Sequence, residues 1–124
     1  MKVKIDRELL LGILENAKTL HPKETILLLR GKVKKEEIMI KELVIPPLAT
    51  YGHGFTTFPL AMLPMDFSII GTLHSHPSGS LNPSTADLNH FFGKILMIVA
   101  WPYEPHMVAA YNRKGEKLDV EIIS

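Results

Sequence analysis

The chain has 124 residues, of which 46% are hydrophobic and 22% are charged, and its formal net charge is +1. This length predicts one soluble globular domain spanning 1–124. The near-neutral charge offers no basic face for nucleic acid or a membrane surface, and the absence of cysteine excludes disulfides and thiolate zinc sites. No apolar run is long enough to span a bilayer, and the charged segment 1–8 does not resemble a signal peptide, so we expect a cytoplasmic protein.

The first part of the chain predicts one helix and two strands. Segment 1–8 leads directly into a helix from about Arg7 to Thr19, because leucine and isoleucine recur there at helical spacing. The continuous apolar run from Glu24 to Gly31 is typical of a strand buried on both faces. A second strand is predicted near Glu37–Val44, and Pro46 and Pro47 end it.

The later part of the chain alternates strands with a helix. A strand is predicted over 67–76, a helix from Ser84 to about Phe92, and an apolar strand over 94–101. The segments 107–111 and 117–123 form a predicted hairpin. Strands interleaved with two helices indicate an α/β domain with a mixed β-sheet flanked by helices.

The end of the predicted strand 67–76 carries two histidines. His74 and His76 are two residues apart, so they project from the same face of a strand. Two such imidazoles can converge on one ion with Zn–N bonds of about 2.0–2.1 Å, and Asp87 arrives from the next element as a third ligand. Three protein ligands and an open fourth position describe a catalytic rather than a structural zinc site.

Each of these residues also has a purely structural interpretation. An isolated His-x-His is common at the end of a sheet, where both rings are simply polar groups. Ser84 and Asp87 match the spacing of a helix capping box. Glu24 is compatible with a solvated carboxylate at a strand edge. A histidine pair at a strand end, a short loop and then an aspartate in the first turn of a helix occur together here. This combination favours a metal site over the separate structural interpretations.

The spacing of the polar residues resembles a known metalloprotease motif. His74-Ser75-His76, seven residues, Ser84, two residues and Asp87, with Glu24 upstream, is similar to the JAMM (MPN+) motif E…H-[ST]-H-x7-S-x2-D. The resemblance covers nearly the whole chain and is to the minimal prokaryotic type of this family. It implies a single JAMM/MPN domain with a cytidine-deaminase-like α/β fold.

The resemblance also implies a role for each residue of the motif. His74, His76 and Asp87 would bind one zinc ion per chain, with a water molecule as the fourth ligand. Glu24 would be the general base that takes a proton from this water and returns it to the leaving amine. The hydroxyl of Ser84 would help to stabilise the tetrahedral oxyanion.

Active members of the family imply a protein substrate. The expected reaction is zinc-dependent cleavage of an isopeptide or peptide bond after the C-terminal Gly-Gly tail of a ubiquitin-like modifier or sulfur-carrier protein. Two alternatives stay open, namely a zinc peptidase that acts on small peptides or amino-acid amides, and a non-catalytic MPN scaffold. The expected partner is therefore a ubiquitin-like protein or its conjugates, without nucleic acid or membrane, and a homodimer is compatible with the sequence.

Recognition of this substrate is predicted for the segment before the histidine strand. Phe55 and Phe58 lie among glycines there, and their apolar rings would contact the substrate tail as it orders beside the metal. The alternative is that both rings complete the core of the domain.

Overall fold

The structure, a computed structural model, describes residues 1–45, 68–89 and 93–124. None of the helices within these ranges has the length and apolarity that crossing a membrane requires. Within the same ranges the chain forms, in order, β1 (Lys2–Asp6), α1 (Arg7–Leu20), β2 (Ile26–Val33), β3 (Glu37–Val44), β4 (Ile69–His76), α2 (Thr85–Asn89), β5 (Ile95–Ala100), β6 (Val108–Tyr111) and β7 (Lys117–Ile123).

The strands form one closed, mixed sheet. Their order around the barrel is β1-β3-β2-β4-β5-β6-β7. β2 pairs antiparallel with β3 and β4, β4 pairs parallel with β5, and β1 pairs parallel with both β3 and β7. The predicted α/β class with a mixed sheet is confirmed, whereas closure of the sheet was not part of the prediction.

Strand β1 corrects one expectation from the sequence. The segment leads directly into a helix as predicted, but the sequence analysis placed no strand there, whereas Lys2–Asp6 is a strand. Lysines alternate here with Val3 and Ile5, both of which are 0% exposed and belong to the core. This period of two places the apolar side chains on the inner face, and the strand supplies the pairing that closes the barrel.

Helix α1 follows β1 without a loop. The carboxylate of Asp6 accepts hydrogen bonds from the backbone N–H groups of Glu8 at 3.0 Å and Leu9 at 3.4 Å, which satisfies two donors at the helix start. Its apolar face is buried in the main core, and the helix ends at Leu20, one residue later than predicted and two residues before Pro22. The buried residues of this face are Leu10, Ile13, Leu14 and Ala17.

The adjacent strands β2, β4 and β5 contain long runs of buried residues. All six residues of β5 are 0% exposed, as expected for a strand covered on both faces. The predicted strand at 24–31 begins two residues later than expected, at Ile26, and continues to Val33.

The predicted substrate contacts Phe55 and Phe58 lie outside the described residues, as does the predicted end of α2 near Phe92.

Gly93 makes the close approach that sets β5 beside β4. Its φ angle is 90°, and a Cβ atom there would lie 2.6 Å from backbone atoms of Ile70 and Gly71. A side chain at this position would force the two parallel strands apart and would strain the backbone. Glycine therefore permits the junction through which the α2 region connects back to the sheet.

Candidate metal centre

The register between β2 and β4 places Glu24 beside the histidines. Ile26 pairs with His74 in the antiparallel ladder, so two residues further along each strand Glu24 lies opposite His76. Residues that oppose each other share a face of the sheet, as do residues two apart. The sheet therefore directs Glu24, His74 and His76 to one face, and they are only 6%, 4% and 9% exposed.

Helix α2 brings Asp87 to the same place through a capping box. The backbone N–H of Asp87 donates to Ser84 Oγ at 3.0 Å, and the backbone N–H of Ser84 donates to Asp87 Oδ2 at 2.8 Å. These reciprocal bonds fix the first turn of the helix and the orientation of the Asp87 carboxylate, which is 6% exposed. The capping interpretation of this pair is thus correct, and it positions Asp87 for a second role.

The distances between these side chains suit a metal ion. His76 Nε2 lies 3.0 Å from Asp87 Oδ2, and His74 Nδ1 lies 3.4 Å from Asp87 Oδ1. A tetrahedral zinc ion with bonds of about 2.0–2.1 Å holds neighbouring ligand atoms about 3.3 Å apart. Both histidines therefore lie within metal-ligand spacing of Asp87, each against a different oxygen of its carboxylate, and all three side chains are buried.

Glu24 is close enough to take part directly. Ligand atoms of Glu24, His76 and Asp87 all lie within 4.8 Å of one another, so these three residues form a metal-binding group by themselves. The structure thus brings Glu24, His76 and Asp87 together, with His74 beside Asp87. Ser84, the fifth motif residue that the sequence assigns to the site, caps the helix that carries Asp87. The geometry accommodates Glu24 either as a ligand or as a base beside the ion.

The backbone of Ser80 orients His76, a contact that the sequence does not reveal. His76 Nδ1 lies 2.9 Å from the carbonyl oxygen of Ser80. A proton on Nδ1 donated to this carbonyl leaves the lone pair of Nε2 directed toward Asp87 and any ion held there, the arrangement that metal-binding histidines usually have. Because any residue type supplies a carbonyl, no side-chain pattern could have identified Ser80.

The charges of Asp87 and His76 stabilise each other in the metal-free protein. Burial raises the pKa of Asp87, but hydrogen bonds from His76 and the backbone of Ser84, together with the nearby histidines, outweigh burial and lower the pKa to about 2. Burial lowers the pKa of His76, yet the bond to Asp87 and the Ser80 carbonyl raise it overall above its ordinary 6.5. Asp87 is consequently ionised at neutral pH and available to a cation.

Glu24 has a pKa suited to proton transfer near neutral pH. Burial raises the pKa of this carboxyl from 4.5 to about 7, the positive charge of His76 opposes that rise, and the negative charge of Asp87 adds to it. A general base works best when its pKa lies near the working pH. Glu24 therefore has the properties of a group that accepts and returns a proton.

Metal affinity is expected to fall as the pH is lowered from about 8 to about 6, because ligands bind a metal in their deprotonated form. The pKa of His76 is raised, so acidification adds a proton to this ligand that the ion must displace. Protonation of Glu24, whose pKa is about 7, also removes a negative charge from beside the ion. Competition titrations with a chromophoric chelator across this interval measure the effect. A metal affinity independent of pH would contradict it.

The closed mixed sheet and the buried His, Asp and Glu cluster together form a candidate metal centre on an α/β domain. Comparison with protein families then identifies the chain, because the family model for prokaryotic homologs of the JAB domain matches residues 6–117. The chain belongs to this family. The resemblance to the JAMM/MPN proteins predicted from the sequence motif is confirmed.

Individual relatives agree with this assignment. A probable metalloprotease of Haloferax volcanii is 32% identical over 117 residues, which cover 89% of this chain and 73% of the relative. A JAB1/MPN domain protein from Archaeoglobus fulgidus is 40% identical, with a TM-score of 0.70 and full coverage of both chains. A structure described as JAMM, a metalloprotease-like zinc site in the proteasome and signalosome, is 36% identical, with a TM-score of 0.73 and full coverage of both chains.

Proposed function

We propose that the protein is a zinc-dependent isopeptidase that cleaves after the C-terminal Gly-Gly tail of a ubiquitin-like modifier or sulfur-carrier protein. The observation that carries this proposal is the position of Glu24, whose carboxylate lies within 4.8 Å of ligand atoms of His76 and Asp87. A scaffold needs no buried carboxylate with a pKa of about 7 at this point. The likeness to a probable metalloprotease supports hydrolysis of a peptide-type bond.

In this proposal His74, His76 and Asp87 hold one zinc ion per chain. When bound, the ion supplies Lewis acidity that polarises the scissile carbonyl and makes a water molecule acidic enough to attack it near neutral pH. Glu24 takes the proton of the attacking water and delivers it to the nitrogen of the leaving amine. One carboxylate thus acts first as a base and then as an acid.

Ser84 completes the proposed site by stabilising negative charge on the carbonyl oxygen. Its Oγ accepts the Asp87 N–H through a lone pair, so the capping bond leaves the hydroxyl proton available. The Ser84 residue is exposed, whereas Asp87 beside it is buried. A hydroxyl on the solvent side of the centre can therefore donate to a substrate oxyanion while it caps α2.

The proposed substrate follows from what can enter such a site. Glycines alone let the backbone of an extended tail lie in a narrow groove beside the metal, because they have no side chain to accommodate. A partner of the ubiquitin-like class is what the resemblance of the motif to the JAMM family implies. Phe55 and Phe58 stay predicted contacts for the tail of this partner.

The direct test uses a ubiquitin-like protein linked through its Gly-Gly terminus to a lysine side chain. The metal-free protein is reconstituted with zinc, and release of the intact modifier is followed by mass spectrometry with and without a chelator. We expect chelator-sensitive cleavage after the second glycine. Cleavage of short peptides alone would favour the small-peptide peptidase, and zinc binding without hydrolysis of either substrate would favour the scaffold.

Substitution of the proposed ligands should remove the metal. His76→Ala and Asp87→Asn are each expected to reduce bound zinc from about one ion per chain to a small fraction, because two remaining protein ligands hold zinc poorly. His106→Ala is the matched control, since His106 is an exposed histidine outside the cluster. Metal content after dialysis, measured by elemental analysis, decides the result. Full zinc occupancy in both ligand variants would refute the ligand assignment.

A further inference from the structure

We propose that Ser75, the residue between the two histidines, is a positioning residue that holds Glu24 in its working orientation. This inference rests on the proposed function, in which Glu24 is the general base. Ser75 lies on the face of β4 opposite to the histidines, together with Leu73, whose side chain belongs to the main core. Ser75 therefore acts through another residue and does not contact the substrate.

Three hydrogen bonds join Ser75 to Thr25, the residue that follows Glu24. The backbone N–H of Thr25 donates to Ser75 Oγ at 2.8 Å, and the Thr25 hydroxyl donates to the same oxygen at 3.1 Å. The backbone N–H of Ser75 donates in return to the Thr25 carbonyl at 3.1 Å. Ser75 is 0% exposed and Thr25 is 2% exposed, so water does not compete for these three bonds.

The side chain of Ser75 here replaces part of the regular strand pairing. In an antiparallel ladder the N–H of Thr25 would donate to a backbone carbonyl, but this N–H donates to a hydroxyl instead. The regular strand β2 begins only at Ile26, one residue after this contact. The Ser75 hydroxyl thus keeps the chain attached to β4 just before β2 begins. This attachment holds the segment that places Glu24 opposite His76.

The bond to Thr25 controls Glu24 through the peptide unit between them. The Cα of Glu24, its carbonyl group, and the N–H and Cα of Thr25 lie in one plane. An acceptor that fixes the N–H of Thr25 therefore fixes this plane and the position of the Glu24 Cα, from which the carboxylate extends to the centre. A misplacement of about 1 Å in a reacting group can cost about 10²-fold in rate.

Replacement of the Ser75 hydroxyl should reduce turnover while the zinc stays bound. Ser75→Ala is expected to lower kcat by about 10²-fold with little change in KM, and Ser75→Thr, which keeps the hydroxyl, should restore most of it. Thr72→Val is the matched control, because Thr72 is also 0% exposed in β4 and its hydroxyl has no hydrogen bond within the described residues. An unchanged kcat in Ser75→Ala would overturn the inference.

A double-mutant cycle with Glu24 tests whether Ser75 acts through this residue. If it does, Ser75→Ala should change the residual turnover of Glu24→Gln by less than about twofold, because the group it positions is already lost. A full 10²-fold loss in both backgrounds would show an independent effect and would overturn the inference. Thr25→Val removes one of the two bonds to Ser75 Oγ and serves in the same cycle if Ser75→Ala does not fold.

Amide hydrogen exchange gives a readout that does not depend on turnover. In the metal-free protein, Ser75→Ala should accelerate exchange of the Thr25 N–H by at least about 10-fold, whereas Ser75→Thr and Thr72→Val should not. Unchanged exchange at Thr25 would overturn the proposed anchor. A wild-type protein without peptidase activity would instead overturn the proposed function, and the exchange rates would still decide whether Ser75 holds this segment.

Discussion

Glu24→Gln is expected to lower kcat by about 10²–10⁴-fold, the contribution that general acid–base catalysis typically makes. The amide is close in shape to the carboxylate, so packing around a side chain that is 6% exposed should be kept. It has no basic oxygen of comparable strength, and it can neither take a proton from water nor return one to an amine. Steady-state kinetics on a Gly-Gly conjugate measure the loss.

The zinc content of Glu24→Gln shows whether its lower kcat comes from loss of a general base or from loss of the metal. With His74, His76 and Asp87 as the ligands, the Gln variant should keep about one zinc ion per chain. Glu42→Gln is a suitable control, because Glu42 is a glutamate on β3 that pairs with Arg30 in an exposed ion pair remote in sequence from the cluster. If Glu24→Gln loses zinc in parallel with turnover, Glu24 is a ligand and the mechanism assigned to it is wrong.

The parts of the fold that the sequence predicted best are those in which one local signal is sufficient. The spacing of apolar residues after Asp6 is that of an isolated amphipathic helix, and α1 runs from Arg7 to Leu20. β3 spans Glu37–Val44, the range predicted from its pattern and the following prolines. In both segments the residues within the element determine its type, and packing elsewhere alters only its ends.

Features that depend on distant parts of the chain were not predictable in this way. Strand β1 is five residues long, and it pairs with β3 and β7, which lie far along the sequence. Its alternating pattern was too short to distinguish a strand from the start of the helix that follows it. Closure of the barrel is likewise a consequence of these long-range pairs, and no single segment encodes it.

In the candidate metal centre, the side chains of the motif were predictable from the sequence, whereas the backbone groups that orient them were not. The spacing of the motif predicted that the histidines and Asp87 lie near one another, because β4, the following loop and α2 are consecutive in the chain, whereas Glu24 was assigned from the resemblance to the JAMM motif. The support around them was not visible, since it uses the Ser80 carbonyl and the backbone N–H of Thr25. Groups that every residue possesses leave no compositional signal.

Ser84→Ala should separate a catalytic hydroxyl from a helix cap. If the Ser84 hydroxyl donates to the oxyanion, the change should lower kcat by about 10²–10³-fold with little effect on KM, the typical result of losing one such donor. Loss of the capping bond to the Asp87 N–H should in addition cost about 1 kcal/mol in the free energy of unfolding. Kinetics and denaturant unfolding measure the two effects independently.

Ser84→Gly and Ser84→Thr make that comparison decisive. Glycine at an N-cap costs only a few tenths of a kcal/mol, so Ser84→Gly should keep stability while it loses the hydroxyl donor. Threonine retains both the acceptor for the Asp87 N–H and a proton to donate. A catalytic hydroxyl predicts that kcat falls equally in Ala and Gly and recovers in Thr. If kcat instead stays near the wild-type value in the Gly variant, Ser84 contributes to this centre only by capping α2 and orienting Asp87.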